Sequence, residues 1–135
     1  MRLFFHRGER LRSEKAIQSL FRKGKSGLRF PFRYLYRITT AESSDPVRIA
    51  FIVPKRRIRK SVDRNLIRRR MREAYRRNKH ILHLLPEQKS FHLEIALVWV
   101  APDALPYLET EQKLIVLLQH IATEILKDTG DKHPG

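Results

Sequence analysis

Residues 54–79, PKRRIRKSVDRNLIRRRMREAYRRNK, constrain the fold more than any other part of the chain. They carry 13 Lys and Arg against only two acids, Asp63 and Glu73. A run this charged would stay disordered if its few apolar residues were scattered. They are not scattered. At about 100° per residue, Ile67, Met71, Ala74 and Tyr75 share one side of a helix, and Asn65, Arg68, Arg69, Arg72 and Arg76 share another. The apolar stripe needs a surface to dock on, while the arginine stripe needs water or an anion. The rest of the chain must supply that surface and leave the arginines outside.

The remaining sequence offers a sheet. Residues 13–23 read as a first helix, with Ser13 as N-cap, Ala16, Ile17, Leu20 and Phe21 as its apolar stripe, and Gly24 as its stop. After a turn at 24–27, residues 30–37 alternate Phe30, Phe32, Tyr34 and Tyr36 with Pro31, Arg33, Leu35 and Arg37, the period of a strand. A polar turn over 39–46 leads to a second strand, VRIAFIV at 47–53, which Pro54 stops. The basic helix then runs from 61 to about 82, with Ser61 or Asp63 as its N-cap. A loop at 86–90 precedes LEIALVWV at 93–100, whose unbroken apolar character suits a central strand. A Pro-containing connection follows over 101–108. A third helix at 109–127 then puts Leu114, Leu117, Leu118, Ile121 and Ile125 on one side. One domain is expected over 1–127, with 128–135 as a flexible tail, because 135 residues are too few for two cores.

Charge narrows the function. The formal net charge is +15, and it is unevenly placed: residues 1–37 carry +9 and 54–79 carry +11, whereas 38–53 carry −1 and 80–135 carry −4. Two basic blocks beside an acidic remainder point to one side of the domain facing a polyanion. A charge run is often only a solvated face. Surface pairing would then interleave Glu at i,i+4, and only Glu73 is present. Eight of the ten basic residues from Arg59 to Lys79 are Arg, whose planar fork grips two phosphate oxygens at once. The candidate nucleic-acid contacts are Arg57, Lys60, Arg64, Asn65, Arg68, Arg69, Arg72 and Arg76. Asn65 has two readings, a hydrogen bond to a base or ribose hydroxyl, or a local backbone cap.

Other classes fall away. No run of about 18 apolar residues suggests a transmembrane helix, and the N-terminal residues lack the pattern of a secretory signal. The chain has no cysteine, hence no disulfide or thiolate metal site, which fits the cytoplasm. The carboxylates do not cluster as a metal-dependent nuclease requires, and Glu94 is the only acid within a long strand. His80 and His83 stand at i,i+3 without further ligands and read as ordinary helix-end residues. No glycine-rich phosphate loop or Ser/His/Asp set occurs. No catalytic or metal-binding residue is therefore expected in the polypeptide. Phe32, Tyr34 and Tyr36, next to Arg33 and Arg37, are either a platform for unstacked bases or one face of the core, and alternating aromatics are more often core.

Residues 54–75 resemble the signature of the bacterial ribonuclease P protein family. Lys55 and Arg56 follow the strand, then come Arg64-Asn65, Arg68-Arg69, Arg72-Glu73 and Tyr75. GERLRSEKAIQSLFRKGKS is similar to the family's first helix and turn. Leu66, Pro54, and the Trp99-Val100 pair depart from the family pattern. The resemblance implies an α+β fold, a two-layer sandwich of order αβββαβα with a mixed four-stranded sheet, like the second domain of ribosomal protein S5. A fourth strand would lie within 25–30. It further implies a protein inactive alone, monomeric when free, that partners a catalytic RNA holding the magnesium ions. That RNA would be met by the arginine helix. The 5′ leader of precursor tRNA would lie in a cleft between the first helix and the sheet, with Phe21, Tyr34, Tyr36, Lys55 and Arg56 as its expected contacts. The main alternative is a structural, rRNA-binding ribosomal protein, which would not retain precursor tRNA through its leader. A helix-turn-helix reading suffers because the basic helix follows a strand. A membrane-surface helix would not need three strands.

Overall fold

The computed structural model describes residues 5, 7–39, 46–84 and 92–131. Strand β4, His92–Trp99, is buried along nearly its whole length and sits inside the sheet. Antiparallel to it runs β2, Phe32–Thr39, and parallel to it on the other side runs β3, Val47–Ile52. The short β1, Lys25–Arg29, pairs antiparallel with the outer side of β2, giving the order β1-β2-β4-β3. β1 is the fourth strand expected within 25–30. Three helices complete the order αβββαβα: α1, Glu14–Lys23; α2, Ser61–Asn78; and α3, Tyr107–Asp131. This is the mixed four-stranded α+β fold expected.

Register fixes what each face of the sheet carries. Phe32, Tyr34 and Tyr36 stand opposite Trp99, Leu97 and Ile95, which in turn adjoin Ile49 and Phe51 on β3. This face packs against α2 and α3 through Ile67, Met71, Ala74, Tyr75, Leu114, Leu117, Leu118, Ile121 and Ile125, forming the main core. The opposite face carries Arg33, Leu35 and Arg37 against Val98, Ala96 and Glu94, with Ala50 and Ile52 beyond. Its smaller cluster of Leu11, Leu20, Leu35, Ala50, Ala96 and Val98 is covered by α1. Helices thus lie on both faces of the sheet, and the two-layer description fits only the α2–α3 side.

Local chemistry explains most boundaries. The Ser13 side chain accepts from the Ala16 amide at 3.2 Å and caps α1 as expected. Gly24 ends α1 because a Cβ there would lie 2.6 Å from the Leu20 carbonyl oxygen. Gly27 lies under the Tyr34 ring, where a side chain would collide with it. Helix α2 is capped by Lys60 without a side-chain bond, not by Ser61 or Asp63. It ends at Asn78 and continues as a 3-10 turn, Lys79–Leu84. Helix α3 begins two residues earlier than expected and is helical to Asp131, past the expected tail boundary. Residues 132–135 of that tail, the loop at 86–90 and most of the turn at 39–46 lie outside the described residues.

Candidate nucleic-acid interface

Two basic surfaces emerge, on different elements. The first is the outer side of α2. Ile67, Met71, Ala74 and Tyr75 are buried against the sheet, which forces the intervening arginines outward. Arg69 is exposed, and Arg68, Arg72 and Arg76 are half-buried. Arg76 is held by Glu73 through its Nε at 2.9 Å. Arg68 donates to the Asn65 side-chain oxygen, so the structure joins Asn65 to the stripe through a neighbouring arginine. Arg64 turns back to donate to the carbonyls of Ile58 (2.9 Å) and Arg59 (2.7 Å), fastening the basic loop to the helix. Arg57 donates to the Val100 carbonyl at 3.3 Å, and Lys60 is exposed. Among the described residues, Arg64, Arg68, Arg69, Arg70 and Arg72 have no carboxylate partner. Burial, together with the guanidiniums of Arg10, Arg68 and Arg69, holds the Arg72 group below its ordinary pKa. An open hollow of about 840 Å³ adjoins this side, lined by Phe5, Leu66, Arg69, Arg70, Arg72, Glu73, Arg76 and Tyr107. Leu66 contributes apolar surface to it.

The second surface is the α1 side of the sheet. Phe21 is 40% exposed at the end of α1, and the Arg33 guanidinium lies over its ring at 5.8 Å from the centroid. Leu28, opposite Arg33 on β1, is exposed on the same face. Arg37 bridges Glu94 at 2.7 Å and Ser19 of α1 at 2.6 Å, tying the helix to the sheet. Lys55 and Arg56 are exposed in the loop that leaves β3, which stands two places from β2 in the sheet order.

Tyr34 and Tyr36 do not join this group. They are 5% and 2% exposed and sit on the opposite face, stacked on each other at 6.3 Å in the main core. The Tyr34 hydroxyl donates to Glu124 of α3 at 2.9 Å and lies 2.9 Å from His120 Nε2. Arg29 reaches His120 Nδ1 at 3.0 Å. Burial, then Glu124, raises both phenols to a pKa of about 12. The grouping of these tyrosines with Phe21 is therefore corrected: the alternation that makes β2 aromatic on one side makes it basic on the other, and α1 covers the basic side. Arg33 and Leu28 are the residues missed there. The signal for Arg33 was its place one residue from Tyr34. Leu28 had none.

Among the described residues, no group of three or more His, Cys, Asp or Glu could hold a metal ion, and no helix is long and apolar enough to cross a membrane. His80 is exposed in the 3-10 turn after α2, and the His83 side chain lies outside the described residues.

Comparison with known proteins decides the class. The family profile for ribonuclease P matches residues 5–122. The chain belongs to the ribonuclease P protein family. The ribonuclease P protein component of Porphyromonas gingivalis is 31% identical over 127 residues, spanning 90% of this chain and 92% of that protein. That of Chlorobium phaeobacteroides is 35% identical over 121 residues, 83% of each. The solved ribonuclease P protein of Thermotoga maritima is 26% identical, with a TM-score of 0.66 over 83% of this chain and 96% of that one. The Staphylococcus aureus protein, at 20% identity and a TM-score of 0.66, has the same fold. The chain is thus the RNA-binding subunit of an endoribonuclease of tRNA processing. The relatives give no support to a ribosomal protein.

Proposed function

We propose that the two basic surfaces divide the labour of the holoenzyme. The arginine side of α2, with Arg57, Lys60, Arg64 and Asn65 at its start and Arg68, Arg69, Arg72 and Arg76 along it, binds the catalytic RNA by neutralising phosphates. The α1 side of the sheet, with Phe21 and Arg33, and the loop after β3, with Lys55 and Arg56, receive the single-stranded 5′ leader of precursor tRNA. The Phe21 ring stacks on a base of any identity and the neighbouring cations meet the backbone, so recognition tolerates sequence. Tyr34 and Tyr36 support that sheet from the other side and do not touch the leader.

The observation that carries this reading is the set of α2 arginines without carboxylate partners among the described residues. Folding alone gives no reason to crowd them; an RNA backbone does. In this reading the RNA subunit supplies the metal chemistry of leader cleavage. A net charge of +15 keeps the free protein monomeric by self-repulsion and directs it to RNA in the cytoplasm.

Reconstitution tests the reading. The protein freed of RNA leaves precursor tRNA intact. Added to a ribonuclease P RNA at low magnesium, it speeds removal of the 5′ leader. Metal-dependent cleavage by the rigorously RNA-free protein, or no stimulation at low magnesium, contradicts it.

A further inference from the structure

The segment before α1 is fastened to the domain as a strap. Arg10 pairs in parallel with Ile49 at the outer edge of β3, and the Leu11 amide donates to the Ile49 carbonyl at 2.9 Å. Leu11 is buried under α1. Glu9 is buried against Lys79, just past the end of α2, at 2.8 Å. Phe5 meets Tyr75 of α2 edge-on at 5.8 Å and Phe51 of β3 at 5.9 Å. These neighbours fix where Arg10 can be. Its guanidinium lies over the Phe5 ring, 5.6 Å from the centroid, and its Nε is buried with no hydrogen-bond partner.

Arg10 therefore stands beside the arginine stripe of α2, because Phe5, under its guanidinium, lines the same hollow as Arg69 and Arg72. Arg10, Arg68 and Arg69 are all close enough to Arg72 to disfavour its charge, and Arg72 is itself half-buried. Of the acids nearby, Glu9 is taken by Lys79 and Glu73 by Arg76. Among the described residues none of the four arginines has a carboxylate partner. A fold does not gather four guanidiniums from two distant segments for its own stability. Their planar forks, around a partly buried centre, match the oxygens of a phosphodiester.

We propose that Arg10 completes a phosphate-binding site with Arg68, Arg69 and Arg72 that grips the backbone of the partner RNA across the junction of the N-terminal strap and α2. This rests on the reading of α2 as the RNA-binding helix and extends it to a second chain segment. It carries a regulatory consequence. RNA that needs Arg10 in place binds the docked strap more tightly than an undocked one, so RNA and strap docking reinforce each other.

The test measures binding of the full chain to a ribonuclease P RNA across a salt series, for the wild type, Arg10→Gln, Arg10→Lys, Arg68→Ala/Arg72→Ala and, as a control from the same strap, Arg7→Gln. Arg10→Gln is expected to weaken binding about tenfold and to lower the slope of log affinity against log salt by about 0.7 to 0.9, the value for one neutralised phosphate. Arg10→Lys should keep most of that slope, and Arg7→Gln should change neither quantity. Hydrogen exchange at the Leu11 amide should slow on RNA binding in the wild type and not in Arg10→Gln. An Arg10→Gln protein that keeps the wild-type slope overturns the proposal, even if its affinity falls, because the effect is then structural. If Arg68→Ala/Arg72→Ala loses the slope and Arg10→Gln does not, only the Arg10 site fails. If neither does, the reading of α2 itself fails.

Discussion

The two faces of the sheet share the same strands and have opposite properties. Toward α2 and α3, β2 presents Phe32, Tyr34 and Tyr36, and two long helices bury them almost completely. Toward α1, the same strand presents Arg33, Leu35 and Arg37, and a ten-residue helix covers only part of that face. Phe21 and Leu28 are left exposed at its margin. Aromatic content alone thus misleads about where bases bind. The side of the sheet that is dry serves stability, and the side that one short helix leaves half-open is free to serve recognition.

The sharpest way to break this contrast is Tyr34→Ala. As a core residue its removal should cost about 3–5 kcal/mol of stability, read by urea unfolding, and leave the ratio of precursor to mature tRNA affinity unchanged. A small stability change with a fallen ratio would move Tyr34 to the recognition side. The complementary change, Phe21→Ala with Arg33→Ala, should weaken precursor binding to the holoenzyme by about 1–3 kcal/mol for each base that no longer stacks. Its effect on unfolding should stay within about 1 kcal/mol, because both side chains are exposed.

A third change contrasts the α2 surface with both faces. Arg68→Ala/Arg72→Ala should keep the fold and lower the salt slope of RNA binding by about 0.7 to 0.9 for each phosphate left without its arginine. An unchanged slope in a folded double mutant reduces the stripe to a solvated surface. The smallest expected effect is one of pH. The Tyr34 and Tyr36 phenols have ordinary values of 10.0 and are raised to about 12 in the fold, so the native state holds their protons more tightly than the unfolded chain. Their contribution to stability is complete below pH 10 and is lost as pH rises toward 12. Tyrosinate absorbance should rise near pH 12 in the native protein, and a midpoint near 10 for these two residues would contradict their burial beside Glu124.

Much of this was legible in the residues. The two stripes of 61–78 specify a docked helix with an arginine exterior, because only one helical phase satisfies both. The apolar run of β4 specifies a strand buried on both faces. Which face of β2 meets which helix was not legible. Period two separates Tyr34 from Arg33 but does not say that α1 crosses over to the arginine side, since that depends on packing between segments distant in sequence. The strap was also hidden. Nothing local to Glu9 and Arg10 announces a buried pair with Lys79 or a place beside Arg72. The cap at Lys60 was missed because Ser61 and Asp63 offer better capping side chains, and the loop held by Ile58 and Arg64 sets the helix start instead.

The most direct measurement is the ratio of precursor to mature tRNA affinity in the reconstituted holoenzyme, for the wild type, Phe21→Ala/Arg33→Ala, and Tyr34→Phe. Only the precursor carries a leader. The ratio should collapse toward one in the double mutant and stay at the wild-type value in Tyr34→Phe, which removes a hydroxyl bonded to Glu124 on the far side of the sheet. A ratio that survives in the double mutant and falls in Tyr34→Phe would mean that the leader binds the aromatic face, and the division between the two faces would be wrong.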